Sequence, residues 1–168
     1  MKYVGLVLLL AAFALAGRIF SSRIKERVRI LEKFRLMLKL MQTEIQYVNM
    51  PTYELVKNAC ERKEISDLFF LRDCLMKLDS GMPFDLSWEQ AVCRARPPEL
   101  ESGDIQLILS FGSSLGTTDR DGQLKLCGMY EEMTMQKIAQ ASERVKTHAA
   151  LYSKLGIICG LAVVIILI

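Results

Sequence analysis

The chain has 168 residues, with 22 basic and 19 acidic side chains, a single His and five scattered Cys. That length sets one domain as the prior, and one His with no CxxC pair leaves little from which to build a zinc site or a disulfide framework. Charge is uneven: Arg18 to Lys39 holds eight basic and two acidic residues, a net of +6, and the chain from Leu40 onward nets −4, so it is no uniformly basic nucleic-acid binder.

Residues 4–17 read VGLVLLLAAFALAG, with Arg18, Arg23, Lys25, Arg27 and Arg29 close behind. Two readings compete. In one, residues 1–20 are an N-terminal transmembrane segment. In the other, Lys2, the apolar run to Ala14 and Ala14-Leu15-Ala16 form a cleaved signal peptide. The basic cluster resists translocation, so the anchor is preferred and the middle of the chain is expected in the cytosol. The five basic residues then act as a topology signal and attract anionic headgroups, with a docking surface for an acidic partner as the next reading of the stretch Arg18 to Lys39. No aromatics interleave with them as a nucleic-acid stacking platform requires.

A long first helix is expected from Ser22 to Asn49, stopped by Pro51. Its apolar stripe is Ile24, Val28, Leu31, Phe34, Leu38, Met41, Ile45 and Val48, at spacings of three and four. Within it, Glu44 is read as an ordinary paired carboxylate or, alternatively, as a cap on the next helix. Thr52 is expected to cap a second helix carrying Leu55, Val56 and Cys60. Ser66 is expected to cap a third with Leu68, Leu71, Leu75 and Leu78, ending near Ser80-Gly81. Asp85 or Ser87 would cap a fourth, with Trp88, Ala91, Val92 and Ala95, ending before Pro97-Pro98.

The fifth helix begins near Ser102-Gly103-Asp104 and runs to about Gly116. Between it and the sixth lies Phe111-Gly112-Ser113-Ser114-Leu115-Gly116-Thr117-Thr118-Asp119-Arg120-Asp121-Gly122-Gln123. With no Gly-Lys-Ser/Thr and no preceding strand this is not a phosphate loop. It reads as a tight corner. Gly112 admits a neighbouring backbone, Gly116 takes the left-handed position, and Thr118 or Asp119 caps the sixth helix. Thr118-x-x-Asp121 resembles a capping box, and Gly122 is expected to weaken the helix by about 1 kcal/mol relative to Ala. A partner surface on this corner is the alternative to a purely structural role.

The sixth helix carries Leu124, Cys127, Tyr130, Ile138, Ala141, Val145, His148 and Tyr152 on its apolar face, and no breaker separates it from the run LGIICGLAVVIILI that ends the chain. That run supplies only about 21 Å of helix, against the roughly 30 Å hydrocarbon core. Starting at Ala149, with Lys154 snorkelling, closes the gap. Gly156-x-x-x-Gly160 gives it a small-residue face for packing against another span or another copy. The organisation expected is therefore all-α: a cytosolic six-helix bundle over residues 21–152, with long first and last helices, between membrane segments at 1–20 and 153–168. Nothing composes an active site. His148 pairs with no nucleophile, so no catalytic residue, cofactor, metal or small-molecule substrate is expected. The rivals are an exported helical protein with a cleaved signal and a C-terminal anchor, and a membrane-bound enzyme or sensor using His148 and the thiols.

The chain resembles the stage III sporulation protein AB family of endospore-forming bacteria. The resemblance rests on the first span with its basic flank, on Leu40-x-x-x-Glu44-Ile45-x-Tyr47-x-x-x-Pro51, and on Trp88 and Asp104. It continues through Phe111-Gly112-x-x-Leu115-Gly116-x-x-Asp119-x-x-x-Gln123 and Tyr152-x-x-x-Gly156-x-x-x-Gly160. That family is similar to the cytoplasmic domains of platform proteins of type II secretion and type IV pilus machines. The resemblance implies a non-enzymatic membrane platform in the mother-cell membrane around the forespore. It implies as partners a secretion-type ATPase and the other membrane proteins of the same stage III complex.

Overall fold

The structure is a computed structural model that describes the backbone of residues 2–48 and 50–167 and the side chains of residues 22–48 and 50–144. It is all-helical, and no strand occurs among the described residues. Six helices succeed one another: α1 Lys2–Val48, α2 Thr52–Glu61, α3 Leu71–Asp79, α4 Phe84–Arg94, α5 Ser102–Ser114 and α6 Arg120–Leu167. The chain divides into two compact units. One is residues 1–28 with 139–168; the other is 29–138.

In the first unit the described side chains are few. Arg27 and Ala141 are buried, while Ile24 and Val28 are half-buried. Among the described residues no helix is long and apolar enough to cross a membrane. Both runs expected to do so, 1–20 and 153–168, fall outside the described side chains, as do Arg18, Val145, His148, Tyr152, Gly156, Cys159 and Gly160.

In the second unit α1 and α6 run antiparallel. Glu131 of α6 meets Arg35 and Lys39 of α1, Gly128 faces Gln42, and Arg120 reaches Ile45, so positions rise on one helix as they fall on the other. The α1 stripe buries Leu31, Phe34, Leu38, Met41 and Ile45, together with Ile30 and Met37. Val48 departs from expectation: it is 61% exposed, because the stripe ends one turn before the helix does.

The centre of the core is a run of touching rings. Phe111 lies edge-on to Phe34 (centroids 5.9 Å apart), Trp88 (5.8 Å) and Tyr130 (5.4 Å), which joins α1, α4, α5 and α6. Trp88 also meets Phe70 at 4.6 Å and Phe84 at 5.6 Å. Ring contacts of this kind add about 0.5–1.5 kcal/mol each beyond the area they bury. The buried indole N–H donates to the Ile108 carbonyl at 2.8 Å, so no polar atom of the ring is orphaned.

Several helix starts differ from expectation. Pro51 and Pro83 occupy the N-cap positions of α2 and α4, with φ near −60° and ψ near 150°, and no side chain caps either helix. Proline suits these places because its φ is already set and its missing N–H has no partner to lose. Thr52 is therefore the first helical residue and not a cap. Asp85 stands in the first turn, where a carboxylate meets the positive helix end, and Ser87 is buried against the Met82 carbonyl. The third helix begins at Leu71, five residues after Ser66. Residues 62–70 fold as successive tight turns instead. These turns bury Ile65, Leu68 and Phe70, and Leu71 is buried at the start of α3. The start of α5 is closed by a reciprocal box, in which the Asp104 carboxylate accepts the Glu101 N–H at 3.0 Å and Glu101 returns the bond.

Candidate functional site

The residues singled out at the α5–α6 corner are distributed between core and surface. Phe111, Gly112 and Leu115 are buried; Gly116 and Asp119 are exposed; Gln123 is half-buried. Gly112 does admit a close neighbour, but the neighbour is the indole of Trp88 and not a backbone. A Cβ at position 112 would overlap that ring. The contact locks α5 to α4 through the absence of a side chain.

Leu115 leaves the helix with ψ 131°, and Gly116 comes next with φ +83°. That left-handed conformation costs an L-residue about 1–2 kcal/mol. Space is short as well: a Cβ there would lie 3.1 Å from Thr52 Oγ1 at the start of α2. Hydroxyls close the end of α5, with Ser113 and Ser114 donating to the Ser110 carbonyl and Thr117 to that of Ser114.

Of the two candidate caps for α6, Asp119 is the one used. Its Oδ1 accepts the Gly122 N–H at 2.9 Å, the N3 amide of the helix. Gln123 donates back to the Thr118 carbonyl at 3.1 Å. The Thr118/Asp121 capping box does not form, since the helix starts one residue later. Gly122 belongs to this cap. A Cβ on Gly122 would collide with the Thr118 and Asp119 side chains, so this glycine gives the cap room.

Arg120, the first residue of α6, was not anticipated in any role. Its Nε donates to the Ile45 carbonyl at 3.2 Å and its Nη2 to the Gln46 carbonyl. These are two of the last four carbonyls of α1, which have no partner within their own helix. No basic residue stands in the last turn of α1, so α6 supplies the cation that suits this negative helix end. Nothing local announces such a contact across 75 positions.

The α1 residues of the site behave differently from one another. Glu44 is only 14% exposed and pairs with Arg62, just past the end of α2, at 3.5 Å. It caps nothing on α2. Tyr47 is 78% exposed, and Pro51 is exposed at the N-cap of α2. These positions and the corner are brought to one end of the 29–138 unit by Arg120 and by the Thr52–Gly116 approach.

The basic residues after the first apolar run also separate. Arg23 and Lys25 are exposed, Arg27 is 4% exposed, and Arg29 lies 3.6 Å from Asp67. Lys33 also binds Asp67 and holds its carboxyl below the usual carboxylate range. Burial pushes the Cys74 thiol up to about 12 and the Cys127 thiol up to about 11, so both stay protonated at neutral pH while the fold is closed. Among the described residues no group of three or more His, Cys, Asp or Glu side chains is arranged to hold a metal ion.

A family model described as stage III sporulation protein AB matches residues 2–168. The chain belongs to that family. A solved structure named Stage III sporulation protein AB (SpoIIIAB) aligns at a TM-score of 0.61 and 21% identity, covering 72% of this chain and 97% of its own. At that identity the likeness speaks for the shared helical fold. No curated protein matches the chain. Membership gives the protein a part in sporulation, in a family known for a structural component and not for an enzyme.

Proposed function

We propose that the protein is a non-enzymatic membrane platform of a secretion-like apparatus used during sporulation. Its helical bundle would stand on the cytosolic side and engage a secretion-type ATPase and the other membrane proteins of the stage III complex. The observation that carries this reading is the family match, which runs from residue 2 to residue 168 and so takes in both apolar ends together with the bundle. The charge pattern supports it, since the basic residues come directly after the first apolar run. Residues 1–20 and 153–168 act as anchors in the mother-cell membrane around the forespore. Gly156 and Gly160 pack the second anchor against a neighbouring helix or a second copy. Arg18, Arg23 and Lys25 lie at the lipid surface, while Arg27 and Arg29 serve the protein's own packing.

Cys93 offers a direct test, because it is exposed on α4. A thiol reagent that cannot cross membranes should leave Cys93 unlabelled in intact sporulating cells and label it once they are permeabilised. The secretion-type ATPase should co-purify with the full chain in detergent. Labelling from outside would favour the exported alternative, and intact-protein mass would then show residues 1–16 missing. Replacing His148 and all five cysteines should leave sporulation intact; a loss would revive the enzyme or sensor reading.

A further inference from the structure

Cys60 and Cys74 take no part in the proposed function, and α2 and α3 bring them together. The two helices pack on each other. They run antiparallel: the connection 62–70 joins the end of α2 to the start of α3, and at their far ends Tyr53 Oη donates to Asp79 Oδ1 at 2.9 Å. That hydrogen bond sets the register. Cys60 follows Tyr53 by seven residues and Cys74 precedes Asp79 by five, so at 1.5 Å per residue the two stand within about 3 Å of one level. Seven residues are close to two full turns, which puts Cys60 on the flank of α2 that carries Tyr53 and faces α3. Packed helices hold their axes about 8–10 Å apart with Cα atoms about 2.3 Å from each axis, so facing Cα atoms come to about 3.5–5.5 Å. A disulfide spans Cα separations of about 4–7 Å. Both thiols belong to the core packing, Cys74 wholly buried and Cys60 half-buried against the same cluster. They also sense each other: after burial, a charge on Cys60 is what most raises the Cys74 pKa.

We propose that Cys60 and Cys74 form a redox clamp, a dithiol that closes to a disulfide when low-molecular-weight disulfides accumulate and so fastens α2 to α3. The half-buried Cys60 is the point of entry. Burial raises its pKa most, and the Arg72 charge opposes that rise. As a thiolate, Cys60 attacks one sulfur of oxidised glutathione, forming a mixed disulfide and releasing the first glutathione thiolate. Cys74 then gives its proton to solvent and attacks the Cys60 sulfur, forming the internal S–S bond and expelling the second glutathione thiolate. The protein gives up two electrons and two protons, and oxidised glutathione takes up both electrons. In a reducing cytosol the pair stays open, so the clamp has no part in the unstressed protein. Closing it ties off the connection 62–70, which is otherwise held by apolar side chains and by the Lys33–Asp67 pair. The clamp holds or fails independently of the platform reading.

The test uses the full chain in detergent carrying Cys93→Ser and Cys159→Ser, treated with oxidised glutathione, then alkylated in denaturant and mapped by mass spectrometry. The expected result is a chain lighter by two hydrogens before alkylation, with one disulfide joining the Cys60 and Cys74 peptides and Cys127 alkylated. Dithiothreitol should reverse it. The urea midpoint of the closed form, followed by circular dichroism, should lie above that of the reduced form, because the cross-link restricts the unfolded chain. Adding Cys74→Ala should leave glutathione trapped on Cys60, since no second thiol is there to expel it. Four outcomes overturn the proposal: both thiols left unmodified, a lasting glutathione adduct on Cys60 while Cys74 is present, a disulfide to Cys127 or to a second copy, and a closed form whose midpoint does not rise.

Discussion

The α5–α6 corner and the connection from α2 to α3 are both short links in one bundle, held by opposite means. The corner, residues 115–119, depends on groups that are absent: no Cβ at Gly112 against the indole, none at Gly116 at positive φ, none at Gly122 beneath the cap. The connection, residues 62–70, depends on groups that are present: Ile65, Leu68 and Phe70 plug the core, and Asp67 reaches the ammonium of Lys33. A link defined by missing atoms tolerates no addition. One defined by apolar plugs accepts substitutes of like volume. Missing atoms leave a specific trace in a sequence, whereas apolar plugs resemble any other apolar stretch.

The sharpest way to break this contrast is to alter one side chain in each. Gly112→Ala should cost about 1–3 kcal/mol, with a lower urea midpoint for the full chain, and Trp88→Leu in the same chain should recover part of the loss. Leu68→Met in the connection should cost less than about 1.5 kcal/mol. Equal losses at the two positions would dissolve the distinction.

Next in size are the two residues expected as helix caps. Asp119→Ala removes a used cap and should cost about 1 kcal/mol. Ser66→Ala removes a hydroxyl that caps no helix and only approaches the Lys63 carbonyl at 3.5 Å; it should stay within about 0.5 kcal/mol. Thermal unfolding of the two variants side by side decides it.

Smaller still is the ion pair on the connection. Asp67 is half exposed, so Asp67→Asn should cost no more than about 0.5 kcal/mol at neutral pH, and less in high salt. The sign with pH comes from the lowered folded pKa. The unfolded carboxyl takes up its proton first as pH falls, so the contribution of Asp67 is full above the ordinary carboxylate range. It is lost as pH drops through the lower folded value. The wild-type and Asp67→Asn midpoints should therefore converge in acid.

Alkylation kinetics at neutral pH sharpen the comparison without changing stability. Cys93 is exposed and should react at once. Cys74 lies just beyond the connection in α3, Cys127 lies beyond the corner in α6, and both are buried. Local opening controls such groups. The link held by plugs and a surface ion pair should open more readily, so Cys74 should react before Cys127; the reverse order would place the weaker link at the corner.

Much of this was legible in the residues and much was not. The long helices, the stop at Pro51 and the turn at Gly116 come from spacing and from backbone chemistry that acts within a few positions. The family resemblance likewise rested on residues whose spacing is local. Three features were not legible. Prolines stand at two N-caps where Thr52, and Asp85 or Ser87, were expected, because proline already holds the extended backbone that an N-cap adopts. Residues 62–70 fold as turns where a helix capped by Ser66 was expected, and their apolar spacing does not distinguish the two. Arg120 finds the end of α1 across 75 positions, and Lys33 finds Asp67 across 34, distances over which periodicity carries no information.

The lone indole of the chain rests against a residue without a side chain, and its nitrogen is engaged by the Ile108 carbonyl. The protein therefore contains its own optical gauge. Any event that eases the fourth helix away from the fifth, whether denaturant, a partner or force transmitted through the bundle, lets water reach that ring and shifts its emission to longer wavelength, with no label attached.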